Sequence, residues 1–339
     1  MRSFRLMNSM ASGFSISRLL HATNQQVIPV FYHAVGYAEK SPWLKGLYRV
    51  PTPLQFEQDI EILSKHLQPL DLETLIQYTN GQSLPKNKQY YFLSFDDGLK
   101  ECSEFIAPFL QRKGIPATFF INPGFVEKEI RFHRFVTNLL AQAFIKEENG
   151  AVKLAVNNIL GIQEKDAKYT ISRLMQVRYN KKEILEELKA LLFAHMSDEK
   201  QHQQAYMDKA DIQNLIDAGF TIGAHGMDHP EYYLLNEEEQ VKQTIESVKL
   251  IKKWFGVPYK VFAFPFTDVG VRRSFFARIQ KEFPLDLTFG SSGLKKDTIK
   301  NHLQRIPLDD EEVSAEKRLK AELLYFLAKK PFRKNVYHR

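Results

Sequence analysis

Three consecutive stretches decide the fold: Tyr90-Tyr-Phe-Leu-Ser-Phe95, the segment Glu101–Lys113, and Ala117-Thr-Phe-Phe-Ile-Asn122. The first and third are short apolar runs, the pattern of strands covered on both faces. The segment between them reads as a helix. Strand, helix, strand in that order implies parallel pairing. Working outward, Ile28-Pro-Val-Phe-Tyr-His33 is another buried strand, and Phe56, Ile60, Leu63 and Leu67 mark one face of a helix opened by Thr52-Pro53. Downstream the alternation stops, and residues 127–208 form a helix-rich insertion with few strand signals. It then resumes with helix Lys209–Ala218, strand Phe220–Ala224, helix Glu237–Phe255, strand Tyr259–Phe264, a helix near Arg272–Lys281, and strands Leu287–Gly290 and Leu303–Ile306. These strands predict an α/β fold: an incomplete, distorted parallel (β/α)7-type barrel over residues 28–315, with a doubly wound sheet as the second choice.

At roughly 150 residues per domain, 339 residues allow one large domain or two ordinary ones. With 44% hydrophobic residues, 26 Phe and 14 Tyr, the chain is not generally disordered. The apolar run Leu323–Ala328 falls far short of the about 20 residues a membrane-spanning helix needs. One cysteine, Cys102, excludes an internal disulfide and a Cys-based metal cluster, and is compatible with a reducing compartment.

From Glu316 to Arg339, eight Lys/Arg stand against two Glu, so this segment carries +6 of the net +7. The basic character belongs to a tail, not to a nucleic-acid-binding body. Leu319, Leu323, Phe326 and Leu327 fall at helical spacing within it. Residues 316–339 therefore read as a basic amphipathic C-terminal tail, either docked on the body or in peripheral contact with anionic lipid. Residues 1–27 form an N-terminal extension. Residues 1–38 lack Asp and Glu, as transit peptides do, but a loosely packed terminus is the preferred reading. The expected location is cytoplasmic, with a possible peripheral position at the inner face of the membrane.

Two constellations carry chemistry. Ser94-Phe-Asp-Asp-Gly98 puts adjacent carboxylates after a parallel strand, where α/β active sites lie. Side by side they repel unless a cation binds one or a proton stays on the other. His225-Gly-Met-Asp-His229 follows another strand with a histidine pair at metal-ligand spacing. Asp97, His225 and His229 make a two-histidine, one-carboxylate set that leaves a position open for water.

With these residues in view, the chain resembles the polysaccharide deacetylase family, carbohydrate esterase family 4 with the NodB-homology fold. Its Thr/Ser-Phe-Asp-Asp-Gly motif is matched in full at 94–98. Its His-Ser/Thr-x-x-His motif is matched at 225–229, with Gly226 in place of the hydroxyl residue. The flanks Gly114–Phe120 and Ala218–His225 are similar to the family's, and Tyr32-His33 resembles the poly-N-acetylglucosamine deacetylase-like branch. The resemblance covers residues 28–125 and 205–308. It implies a divalent metal, preferably zinc, at Asp97, His225 and His229, with Asp96 as general base toward the attacking water. Phe262-Ala-Phe-Pro-Phe266 looks like a variant of the family's third motif, which implies that the Phe266 N–H donates to the oxyanion and that Pro265 binds substrate. The implied partner is an N-acetylated sugar or glycan.

Two departures stand out. Ala263 occupies the place of the arginine that tethers the catalytic Asp in the commoner third motif; Arg305 could supply that charge from another strand. The late general-acid His has no clear counterpart, His302 being without motif support, and the early His33 matches the acid by position. Asp268 is a further expected substrate-groove residue. The alternatives are a catalytically inactive carbohydrate-binding protein of the same fold, and a hydrolase of another non-peptide C–N bond. There is no Gly-x-Ser-x-Gly, phosphate loop or Gly-x-Gly-x-x-Gly to support a serine hydrolase or a nucleotide-dependent enzyme.

Overall fold

The computed structural model describes residues 13–37, 44, 47–127, 132–163, 166–193, 205–309 and 312–339. In chain order the elements are α1 (Ile16–Thr23), β1 (Val27–Tyr32), α2 (Pro53–His66), β2 (Gln68–Pro69), α3 (Leu72–Thr79), β3 (Tyr90–Phe95), α4 (Ala107–Lys113), β4 (Thr118–Ile121) and α5 (Pro123–Val126). The insertion follows as α6 (His133–Lys146), α7 (Gly150–Ile159), α8 (Ala167–Met175) and α9 (Ile184–Leu192). Then come α10 (Lys209–Asp217), β5 (Thr221–Ala224), α11 (Glu237–Phe255), β6 (Val261–Ala263), α12 (Arg273–Glu282), β7 (Leu287–Gly290), β8 (Lys296–Asp297), β9 (His302–Gln304), β10 (Ile306–Pro307), α13 (Ala315–Lys329) and β11 (Val336–Tyr337).

The main sheet runs β10-β1-β3-β4-β5-β6-β7-β9, with parallel pairing throughout. The short β2 shares the edge of β3, pairing Gln68 with Tyr90, while β4 pairs with its later residues. One run of chain closes the barrel. Residues 302–304 pair with β7, and immediately afterwards 306–307 pair with β1. Arg305 sits at the changeover between the two partners. The expected barrel is therefore the observed one, nearly closed rather than an open doubly wound sheet.

Strand alternation sorts the core. On β3, Tyr91, Leu93 and Phe95 face the surrounding helices, whereas Phe92 packs inside the barrel with Phe120 and Phe289. The ring centroids of Phe92 and Phe289 are 5.2 Å apart and stacked, and this aromatic layer floors the site above it. The α2 helix starts as its sequence indicates: the Thr52 side chain accepts from the Gln55 N–H and Pro53 occupies the first turn. Between β4 and β5, helices α6–α9 build their own core from residues such as Leu140, Phe144, Leu174 and Leu188.

The N-terminal segment differs from its sequence reading, and the C-terminal segment takes the docked one of its two readings. Residues 1–12 lie outside the described residues, but α1 is not loosely packed, because Ile16, Leu19 and Leu20 are buried in the main core. Within residues 316–339 the helix docks on the body. Leu319, Leu323 and Phe326 join that same core, so the apolar face considered for membrane contact is spent on the body. Periodicity cannot distinguish a docked amphipathic helix from a lipid-bound one. Beyond α13 the chain pairs β11 with β8, and the Arg339 guanidinium is buried against Asp268 and Asp297. Among the described residues no helix is long and apolar enough to cross a membrane.

Candidate metal centre and active site

The inward alternation of β3 continues through Ser94 to Asp96. Arg305 reaches both from the closing strand, donating to Ser94 Oγ at 3.0 Å and to the two oxygens of Asp96 at 2.7 Å each. Its guanidinium lies 4.3 Å from the centroid of the Phe31 ring and 5.3 Å from that of Phe120, so it is seated on the aromatic floor. Burial alone would raise the Asp96 carboxyl; the adjacent Arg305 charge overrides it and holds the group below the ordinary range. Asp96 is therefore kept ionised, with lone pairs left for a third donor.

Asp97 leaves the strand pattern with φ 73°, and two further non-glycine residues of the loops at this end, His229 (55°) and Phe266 (55°), also have positive φ. Strained backbone of this kind persists where the surroundings over-determine it. The result is convergence. His229 Nε2 lies 2.9 Å and His225 Nε2 3.3 Å from Asp97 Oδ1, and His225 Nε2 is 4.0 Å from Asp96 Oδ2. His225 is aimed by its other nitrogen, with Nδ1 2.8 Å from the Ala263 carbonyl. Asn122 holds the same loop through the Gly226 carbonyl at 3.1 Å. Gly226 itself has φ 75°, and a Cβ there would lie 3.3 Å from Pro265 Cγ, which explains a glycine where the resemblance leads one to expect a hydroxyl residue.

Asp97 Oδ1, His225 Nε2 and His229 Nε2 are buried, and none has an aligned hydrogen-bond partner among the described residues. Leaving such atoms unpaired costs about 1–3 kcal/mol each. Their candidate ligand atoms lie within 4.8 Å of one another, and a tetrahedral ion with bonds of about 2.0–2.1 Å would place its ligands roughly 3.3 Å apart. The residues present therefore fit a divalent metal. A second carboxylate–histidine group, Asp268, Asp297 and His302, does not call for one, because Arg339 already pairs with both carboxylates.

His33 follows β1, the strand paired with β3. Its backbone N–H donates to Asp309 Oδ1 at 2.8 Å, and its Nδ1 contacts Asp309 Oδ2. Burial would lower its pKa, but the Asp309 charge and hydrogen bond outweigh burial and push it up to about 9. Tyr48 links Asp97 and His33: its hydroxyl donates to Asp97 Oδ2 at 2.6 Å, and its ring centroid lies 5.1 Å from that of His33.

Asp96, Asp97, His225, His229, Arg305 and Phe266 are thus gathered in one place, with His33 beside them. Phe266 is partly exposed at 39%, and its ring centroid is 4.5 Å from that of His229. The other two expected substrate residues are placed differently. Pro265 is buried beneath the Gly226 loop. Asp268 is fully buried, held by His302, Gln304 and Arg339, and does not line a groove. Its charge has a structural partner from a distant segment, which the local sequence could not reveal. Sequence reasoning missed Tyr48 and Asp309, each remote from any motif.

The polysaccharide deacetylase family model matches residues 83–158 and 179–280, more than half of the chain. No curated protein matches. Several solved structures share the fold. A Streptococcus pyogenes deacetylase, PplD, solved with acetate, is 14% identical over 87% of this chain and 97% of its own, with a TM-score of 0.53. IcaB from Ammonifex degensii is 13% identical over 88% and 97%, with a TM-score of 0.52. A de-N-acetylase from Aggregatibacter actinomycetemcomitans is 15% identical over 86% and 99%, with a TM-score of 0.51. With the family model spanning both motif-bearing stretches of this (β/α)7 barrel, the chain belongs to the polysaccharide deacetylase family.

Proposed function

We propose that this protein is a metal-dependent hydrolase that removes an acetyl group from an N-acetylated sugar or glycan. The observation that carries the reading is the Arg305-tethered Asp96 standing directly beside three unpaired ligand atoms. Two imidazoles and one carboxylate suit zinc. A divalent ion held by Asp97, His225 and His229 would lower the pKa of a water and polarise the amide carbonyl.

The remaining steps belong to the chain's own residues. Asp96, ionised and fixed by Arg305, accepts the proton of the attacking water as its oxygen bonds to the carbonyl carbon. The Phe266 N–H, presented by a turn with φ 55°, donates to the carbonyl oxygen as charge develops. His33, protonated beside Asp309, delivers a proton to the sugar nitrogen as the C–N bond breaks, so that acetate and a free amine leave. The early position of His33 supports a substrate of the poly-N-acetylglucosamine type.

Acetate release from N-acetylglucosamine oligomers by the zinc-loaded protein tests this reading. Asp96→Asn should keep its metal and lose most turnover. Undiminished turnover would refute the assignment of the base, and metal-replete wild-type protein that releases no acetate from any N-acetylated glycan would overturn the activity.

A further inference from the structure

The two histidines of the candidate metal centre are not held alike. His225 has a backbone carbonyl on Nδ1, whereas both ring nitrogens of His229 lack a hydrogen-bond partner among the described residues. His229 also has φ 55°, a conformation a non-glycine residue does not hold unaided. The insertion between β4 and β5 supplies part of what fixes it, alongside the Phe266 ring of the barrel at 4.5 Å between centroids. Phe132 packs edge-on against the His229 ring at 4.5 Å between centroids. One residue before His229, buried Asp228 accepts from Tyr179 Oη at 2.7 Å, from Lys182 Nζ at 2.7 Å and from Gln243 Nε2 at 2.8 Å. Two residues after it, buried Glu231 accepts from the Tyr179 N–H at 2.9 Å and lies 3.5 Å from His133 Nε2.

Both flanks of His229 are therefore tied to the insertion. Of the described groups bonded to Asp228, Gln243 belongs to the barrel, whereas Tyr179 and the cation Lys182 belong to the insertion. Lys182 also lies 4.0 Å from the centre of the Tyr179 ring, which keeps the two donors in one unit.

We propose that the helical insertion is a working part of the metal centre: Tyr179 and Lys182, through Asp228, are positioning residues that hold His229 in its ligating orientation. Groups one shell out from a metal set ligand orientation and hence affinity. The inference rests on the metal-centre reading above and goes beyond it, because it gives the insertion a task that none of the family motifs contains.

The test is zinc affinity, measured by competition with a chromophoric chelator, in Tyr179→Phe, in Lys182→Met and in the two combined. The combined variant should bind zinc roughly 10–100-fold more weakly than wild type. Lys182→Arg, which keeps a cation beside Asp228, should recover most of the loss. In a His229→Ala background the same changes should have no further effect, since the ligand they position is gone. Wild-type affinity in a folded combined variant would overturn the proposal, as would an undiminished effect in the His229→Ala background. Failure of the unaltered protein to bind zinc at all would instead overturn the metal-centre reading, and this inference with it.

Discussion

Arg305 and Asp96, 209 residues apart in sequence, form a buried bidentate ion pair with both bonds at 2.7 Å. The pair joins the last stave of the barrel to the end of β3, so closing the fold and charging the candidate base are one event. Arg305 is 0% and Asp96 2% exposed, which leaves neither charge another partner in water.

Removing one member of such a pair strands the other. Arg305→Ala should destabilise the fold by about 3–5 kcal/mol. Because the Asp96 carboxyl would then rise toward protonation, turnover should also fall by roughly 10²-fold or more. Arg305→Lys should recover little, since an ammonium cannot make both bonds. Thermal denaturation and acetate release check both parts; wild-type stability in Arg305→Ala would contradict the pairing.

His33 sets an expected pH limit. Its pKa is pushed up to about 9 because the Asp309 charge outweighs the lowering effect of burial. A general acid must be protonated, so kcat/KM should hold through neutral pH and fall as pH rises through that value. Asp309→Asn removes the raising charge and should move the alkaline limb to lower pH. A limb that stays in place would show that His33 is not the group titrating.

Tyr48 should matter through metal retention. Its hydroxyl donates to Asp97 Oδ2 at 2.6 Å, leaving Oδ1 free for an ion. Tyr48→Phe removes that bond with little change of shape and should weaken zinc binding about 10–100-fold. Chelator competition reads the shift, and unchanged affinity would exclude the role.

Gly226 marks a real departure of this chain from the Ser/Thr expected at its place in the family motif. With φ 75° and Pro265 Cγ 3.3 Å from where a Cβ would stand, Gly226→Ser should cost about 1–2 kcal/mol. The strain falls beside His225, so zinc affinity should drop as well. A serine variant as stable as wild type would mean that the loop adapts freely.

Much of this arrangement was legible in the sequence because it rests on local pattern. The run Tyr90–Phe95 announces a doubly covered strand, and the Asp-Asp pair following it calls for a bound cation or a retained proton. Arg305 could be suspected only because Ala263 left a charge unaccounted for. Tyr48, Asp309, Tyr179 and Lys182 were not legible, since each acts across a tertiary contact and stands in no periodic or motif context. The segment from Glu316 onward shows the converse: its amphipathic pattern left docking on the body and contact with lipid both open, and only the fold shows the helix docked. Asp268 likewise has the sequence position of a groove residue, and only the fold brings Arg339 onto it.

The proposed activity stands or falls on the metal. Elemental analysis of the purified protein beside His225→Ala should give about one zinc-like ion per chain in the wild type and almost none in the variant. A wild-type protein that neither carries nor rebinds a divalent ion would contradict the central claim.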